Sequence, residues 1–150
     1  MKNLFNHIYE NKKVLITGHT GFKGSWLTYW LKQLGAKITG FSKDIPTDPS
    51  LFEILKLEKE IDHIIGDVRY YATLLKTIQS FQPDYIFHLA AQSLVKNSYD
   101  NPSETMTTNI IGINNVLDAV RIIGKSCIVV IITSDKCYDN LELERGYHEN

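Results

Sequence analysis

Four consecutive residues, Thr133-Ser134-Asp135-Lys136, have the types and the order that acid–base chemistry needs, and they follow an apolar run. The hydroxyl of Ser134 could hydrogen-bond a substrate hydroxyl. Asp135 could donate a proton, and Lys136 could accept one if its pKa is lowered. An exposed turn explains the same four residues about as well as a reaction site does, so both interpretations stay open at this point.

A second stretch, Lys13 to Gly24, points to a ligand. An apolar run leads into Gly18, Gly21 and Gly24, spaced G-x-x-G-x-x-G, and an apolar pattern at helical spacing follows at once. A dinucleotide pyrophosphate needs such a strand, tight turn and helix, because glycine permits the turn and the close approach of the backbone, and the helix N-terminus attracts the phosphates. The spacing differs by one residue from the usual G-x-G-x-x-G, and the alternative is a tight turn without a ligand.

The elements that must position these residues form a regular alternation. Apolar runs predict five strands, at residues 14–17, 36–41, 61–65, 85–91 and 127–133. Helices are predicted at 21–34, 51–57, 70–81 and 103–123, with a polar loop over 92–102. The alternation predicts an α/β fold with a doubly wound parallel (Rossmann) sheet, strand order 3-2-1-4-5, and a ligand beyond the carboxyl ends of the strands. Residues 1–150 fit one domain, the N-terminal portion of an NAD(P)-binding unit.

Residues at the ends of the second and third strands are candidates for contact with the adenosine half of a dinucleotide. The candidates after the second strand are Ser42, Lys43 and Asp44. Ser42 falls where an acid usually grips the ribose 2′-hydroxyl, and Lys43 could tolerate a 2′-phosphate, so NAD and NADP both remain possible. Asp67 ends the third strand and could accept a hydrogen bond from an adenine amino group. Its alternative role is to cap the following helix.

The end of the fourth strand has small residues. Leu89, Ala90 and Ala91 would let a nicotinamide ribose approach the backbone, although ordinary strand packing explains Ala90 equally well. His88 lies within an apolar strand, which favours a packed core histidine over a catalytic base.

Composition excludes several classes of partner. The net charge of −1 implies no nucleic-acid or anionic-membrane partner. No apolar run approaches the roughly 20 residues needed to span a bilayer. Cys127 and Cys137 lack metal-ligand spacing, so no metal site is expected, and they are interpreted as reduced thiols in a cytoplasmic protein.

The sequence resembles the CDP-glucose 4,6-dehydratases, a family of extended short-chain dehydrogenase/reductases. The motifs that support the resemblance occur in order along nearly the whole chain: T-G-H-T-G-F-K-G-S-W-L at 17–27, P-S-L-F-E at 49–53, G-D-V-R at 66–69, H-L-A-A-Q-S-L-V-K-N-S-Y at 88–99, T-N-I-I-G at 108–112 and T-S-D-K-C-Y at 133–138. Lys136 is similar to the CDP-glucose type, whereas relatives that act on dTDP-glucose or GDP-mannose have glutamate after the aspartate.

The resemblance implies a reaction and a set of site residues. NAD would take a hydride from C4 of CDP-glucose, water would leave across C5 and C6, and the hydride would return to C6. The product, CDP-4-keto-6-deoxyglucose, is a precursor of dideoxysugars in bacterial surface polysaccharide, such as the O-antigen of lipopolysaccharide. Ser134 would orient the C4 hydroxyl, Asp135 would protonate the leaving oxygen, and Lys136 would assist at C5. Cofactor contacts are implied at Gly18, Gly21, Phe22, Lys23, Gly24, Ser42, Asp67, Val68, Leu89, Ala90, Ala91 and Thr133.

One expected feature of the family is missing from these 150 residues. The family's base is the tyrosine of a Tyr-x-x-x-Lys motif, and Tyr9 and Lys13, which have that spacing, precede the first strand. We therefore expect an N-terminal part of a larger enzyme that is inactive alone, without the region that binds CDP and sugar. A non-catalytic NAD(P)-binding module and, more weakly, an epimerase or reductase are the alternatives. The family's dimer contact implies a homodimer or a larger assembly at full length, and an uncovered apolar side of the helix over 103–123.

Overall fold

A computed structural model describes residues 4–134, 138–139 and 141–148 of the chain. Its centre is a five-stranded parallel sheet in the order β3-β2-β1-β4-β5, which confirms the predicted order. The strands are β1 (Lys13–Thr17), β2 (Lys37–Ser42), β3 (Asp62–Ile65), β4 (Tyr85–His88) and β5 (Ile128–Ile131). The helices are α1 (Phe22–Gln33), α2 (Leu51–Ile54), α3 (Tyr71–Phe81), α4 (Val95–Asp100), α5 (Pro102–Met106) and α6 (Gly112–Ile123), with short 3-10 turns at Leu4–His7 and Leu57–Lys59.

Hydrophobic cores cover both faces of the sheet. On one face, Leu15, Phe41 and Ile86 of the strands pack with buried residues of α3 and α6. On the other face, Val14, Ile16 and Ile38 pack with Leu31 and Leu34 at the end of α1. Successive side chains of β1 therefore point to opposite cores, which is why this central strand is apolar without alternation.

Helix α1 packs against the sheet through its small residues. Gly24, Ser25, Thr28 and Leu31 are its buried positions. The aromatic side chains lie on the other side, where Phe22 is 72% exposed, Trp26 51% and Trp30 42%. The apolar pattern of the sequence thus located the helix correctly, but a close helix–sheet contact leaves no room for indole rings on the inner side.

The segment between β4 and β5 differs from the sequence prediction in two respects. The predicted polar loop over 92–102 contains the exposed helix α4, which is held by local hydrogen bonds such as that from Ser98 N–H to the Leu94 carbonyl. The predicted long helix begins at Pro102, and a π-helical turn at Thr107–Ile111 joins α5 to α6. Gly124 ends α6 in the left-handed conformation that suits glycine, with φ of 62°.

The strands β4 and β5 are shorter than predicted and end at His88 and Ile131. The next residues, Leu89 and Ile132, each donate one more backbone hydrogen bond to the neighbouring strand before the chain leaves the sheet. Within the described ranges of the chain, no helix combines the length and the apolar composition needed to cross a membrane.

Candidate cofactor cleft

The glycine turn between β1 and α1 is compressed between two neighbouring parts of the backbone. Gly18 has φ of +74°, and a Cβ there would lie 2.7 Å from the Ala90 nitrogen. A Cβ on Gly24 would lie 2.1 Å from the Gly18 carbonyl oxygen. The turn can therefore approach both the end of β4 and the start of α1 only because side chains are absent at these two positions.

Gly21 differs from its two partners because its surroundings are open. A Cβ there would have one neighbour within 4 Å, the Gly18 carbonyl oxygen at 3.4 Å. Gly21 is also the N-cap of α1, and as a glycine it provides no side-chain cap for the helix. The twelve-residue helix α1 thus presents the positive end of its dipole beside Phe22 and Lys23, which are exposed. This arrangement suits an anion such as a pyrophosphate.

The turn lies where the strand order reverses between β1 and β4. Thr17 accepts a hydrogen bond from the Ala90 N–H at 3.3 Å, and its hydroxyl lies 2.7 Å from Nδ1 of His88. His88 is buried, as expected for a core histidine, and burial lowers its pKa to about 4. Leu89 and Ala90 are half-buried and Ala91 is exposed, so small side chains border the crevice beside β1.

At the end of β2, Ser42 is already engaged in a hydrogen-bond network. Its hydroxyl lies 2.9 Å from Nδ1 of His19 and accepts from the Thr20 N–H at 3.4 Å. Nε2 of His19 lies 2.7 Å from Nδ1 of His63 on β3, and the His19 ring stands edge-on to Phe52. Burial, together with the nearby His63, lowers the pKa of His19 to about 4. The sequence predicted a ribose contact for Ser42 but not this network.

Asp67 and Val68 follow β3 in a turn that α6 holds in place. Burial acts to raise the pKa of Asp67, but hydrogen bonds from the side chain and backbone N–H of Arg69, with the charges of Arg69 and Lys43, lower it overall. Val68 is buried, and the side-chain amide of Asn115 donates to the Val68 carbonyl at 2.9 Å. Asp67 thus does not cap α3, whose N-cap is Tyr70, and its carboxylate has an arginine partner.

The residues after β5 form another side of the cleft. The N–H of Ile132 donates to the His88 carbonyl, which keeps the chain beside β4 until just before Thr133 and Ser134. Both residues are exposed at the carboxyl edge of the sheet, the same edge as the glycine turn. Asp135 and Lys136, the other two residues of the predicted reaction site, lie outside the described residues.

An asparagine that the sequence analysis did not select fixes the loop after β4. The side chain of Asn109 accepts a hydrogen bond from the Gln92 N–H at 2.8 Å and donates to the Gln92 carbonyl at 2.9 Å. Asn109 lies in the π-helical turn. The signal available in the sequence was a polar residue inside an apolar helical pattern, because its side-chain amide can hydrogen-bond to backbone groups outside the helix.

Sequence comparisons place these features among nucleotide-sugar enzymes. Residues 15–150 match the model of a family described as GDP-mannose 4,6 dehydratase. The chain is 49% identical over 144 residues to CDP-glucose 4,6-dehydratase of Salmonella typhimurium strain LT2. That match covers 96% of this chain and 40% of the Salmonella enzyme, so the chain spans less than half the length of this relative.

Solved structures have the same fold. Epimerase Mth375 of Methanothermobacter thermautotrophicus is 28% identical, with a TM-score of 0.77 over 95% of this chain and 41% of that one. UDP-glucose 4-epimerase of Brucella ovis, solved in complex with NAD, is 25% identical, with a TM-score of 0.68 over 80% of this chain and 35% of the epimerase.

Proposed function

Because the chain belongs to the GDP-mannose 4,6-dehydratase family, we propose that it forms the cofactor-binding part of an NAD-dependent CDP-glucose 4,6-dehydratase, a hydro-lyase. The observation that carries the cofactor half of this proposal is the open, uncapped N-terminus of α1 at Gly21, beside the point where the strand order reverses. The 49% identity to the Salmonella enzyme supports CDP-glucose as the substrate.

The residues of the cleft fall into three groups, one for each part of a dinucleotide. The turn at Gly18 and Gly21 and the first N–H groups of α1 would face the pyrophosphate. Ser42 and Asp67 would lie on the adenosine side, whereas Leu89 to Ala91 and Thr133 would border the nicotinamide side. When bound, NAD supplies a temporary hydride acceptor.

The residues after β5 would handle the protons of the dehydration. Ser134 orients the C4 hydroxyl of the sugar, and Asp135 donates a proton to the C6 oxygen, which leaves as water. Lys136 assists removal of the C5 proton. The net change is loss of one water from CDP-glucose, which gives CDP-4-keto-6-deoxyglucose, a precursor suited to the dideoxysugars of O-antigen in a cytoplasmic pathway.

The cofactor half is tested by calorimetric titration of NAD into the wild type and the Gly21→Asp variant. Gly21 has φ of −70° and ψ of 166°, which any residue adopts, and aspartate is a good N-cap, so stability should stay the same or rise by roughly a few tenths of a kcal/mol. The added carboxylate would repel the pyrophosphate, and NAD affinity should fall roughly tenfold or more.

Gly146→Asp is the matched control, because a Cβ at Gly146 meets nothing within 4 Å and the change adds the same charge at a residue that is not among those assigned to the cleft. It should bind NAD like the wild type. Equal NAD affinity of Gly21→Asp and wild type would contradict binding at α1.

The substrate half is tested with a chimera in which the remaining part of the Salmonella enzyme follows this chain. We expect the chimera to convert CDP-glucose into a product lighter by one water, detected by mass spectrometry, and Asp135→Asn in the chimera to abolish this conversion. The 150-residue chain alone should give no product. A chimera that folds and binds NAD yet leaves CDP-glucose unchanged would favour a non-catalytic NAD-binding module instead.

A further inference from the structure

Five charged side chains gather where the ends of β2 and β3 face α5. This adenosine-side cluster consists of Lys43, Asp44, Asp67, Arg69 and Glu104. The Lys43 Nζ lies 3.0 Å from Oε1 of Glu104 and 3.9 Å from Oδ2 of Asp44. Arg69 pairs with Asp67 at 2.5 Å, and its other terminal nitrogen lies 3.9 Å from Oε1 of Glu104. Glu104 therefore links the residue after β2 to the turn after β3.

Lys43 directly follows β2, so its ion pair with Glu104 bears on the choice between NAD and NADP. The residues at the end of β2 are those that read the 2′ position of the adenosine ribose in this type of fold. A carboxylate there usually excludes a 2′-phosphate by its charge, but here the position is the neutral Ser42, which is 5% exposed and bound to His19. Discrimination by charge then depends on the carboxylates around Lys43, of which Glu104 lies nearest to its ammonium group.

We propose that Glu104 is a specificity-determining residue that favours NAD over NADP by holding the ammonium group of Lys43. The inference rests on the proposed function, since it concerns the same cleft. The cluster has two cations and three carboxylates, a formal charge of −1. A 2′-phosphate would bring about two further negative charges and would have to break the contact between Lys43 and Glu104 to gain a cation.

Neutralising Glu104 should make the binding of NADP more favourable. In Glu104→Gln the amide keeps the shape of the side chain, while Lys43 loses its closer carboxylate and keeps only the 3.9 Å contact with Asp44, which a phosphate can outcompete. We expect NADP affinity to rise about tenfold and NAD affinity to change less than about twofold, measured by calorimetric titration of both cofactors at low ionic strength.

A second substitution separates this mechanism from a general change in charge. Adding Lys43→Met to Glu104→Gln should return NADP affinity to the wild-type value, because the cation that benefits from the first change is gone. Glu144→Gln, an exposed residue remote in sequence from the cluster, is the matched control and should leave the ratio of the two affinities unchanged.

The outcomes distinguish the two proposals. NAD binding with an unchanged NADP-to-NAD ratio in Glu104→Gln would overturn the specificity role alone. A gain in NADP affinity that persists without Lys43 would also overturn it. If the folded wild type binds neither cofactor, the proposed function fails, and the specificity role fails with it.

Discussion

At the scale of single residues, His19 illustrates how the cofactor turn is built into the core. Its ring occupies space above Gly40, where a Cβ would lie 2.3 Å from Cδ2 of His19. Register places His63 of β3 beside Gly40 of β2, so the two imidazoles meet at hydrogen-bond distance. The sequence could show a histidine inside the glycine motif, but not its partner, because that partner depends on the pairing of two strands 20 residues apart.

Buried histidines predict a specific dependence of stability on pH. His19 and His88 have folded-state pKa values of about 4, below the ordinary value of 6.5. Between these values the unfolded chain binds more protons than the folded chain, so the free energy of unfolding falls as the pH falls from about 6.5 towards 4. Each histidine should remove about 2 kcal/mol between pH 7 and pH 5.

Urea unfolding at pH 7 and pH 5 measures this effect. His88→Gln should reduce the loss of stability at pH 5, whereas His148→Gln, at an exposed position, should leave it unchanged. A wild-type chain that is equally stable at both pH values would contradict burial of the two neutral rings.

At the scale of elements, the sequence predicted the alternation of strands and helices and the sheet order, because five apolar runs with helical patterns between them allow few arrangements. It did not predict which side of α1 is buried. Hydrophobicity ranks Trp26 and Trp30 above Ser25 and Thr28, yet the small residues of the first two turns are buried against the sheet and the indole rings are not. The apolar pattern over 103–123 predicted one regular helix, because nothing in such a pattern distinguishes a π-helical turn.

The contact between that turn and the loop after β4 can be tested by Asn109→Ala. The substitution removes both hydrogen bonds to the Gln92 backbone, and we expect a loss of about 1–3 kcal/mol in the free energy of unfolding. Asn114→Ala makes the same chemical change at an exposed position of α6 and should cost nothing, because alanine favours helices. Equal stabilities of the two variants in denaturant unfolding would show that the Gln92 contact contributes nothing.

At the scale of the whole molecule, apolar side chains remain exposed on two stretches of the chain, the one from α5 to α6 and the strand β5. Met106, Ile110, Ile111 and Leu117 are exposed along α5, the π-helical turn and α6, and Ile128 and Val130 are exposed on β5. Exposed apolar surface of this kind is typical of contacts with other protein surface.

We expect the 150-residue chain to self-associate through this surface. Light scattering should give an apparent mass that rises with protein concentration, and Ile110→Lys should lower it by placing a charge in the apolar patch. The matched variant Ile54→Lys changes an isoleucine on α2 that is 65% exposed, against 54% for Ile110, and should have no effect. A monomeric wild type over the whole concentration range would contradict the expectation.

The π-helical turn at Thr107–Ile111 has a consequence for insertions and deletions. A turn of this kind contains one residue more than regular winding needs, so deleting one residue there would restore an ordinary α-helix. Helix α6 is held by its packing on α3, and α5 would keep about the same angular phase after such a deletion, whereas losing one residue from a regular helix rotates everything before it by about 100°. Glu104 would then remain near Lys43 and Arg69, while the contact of Asn109 with Gln92, which starts within the turn itself, would be the one at risk. The turn is therefore a place where the chain can change length by one residue without moving α5 relative to the cleft.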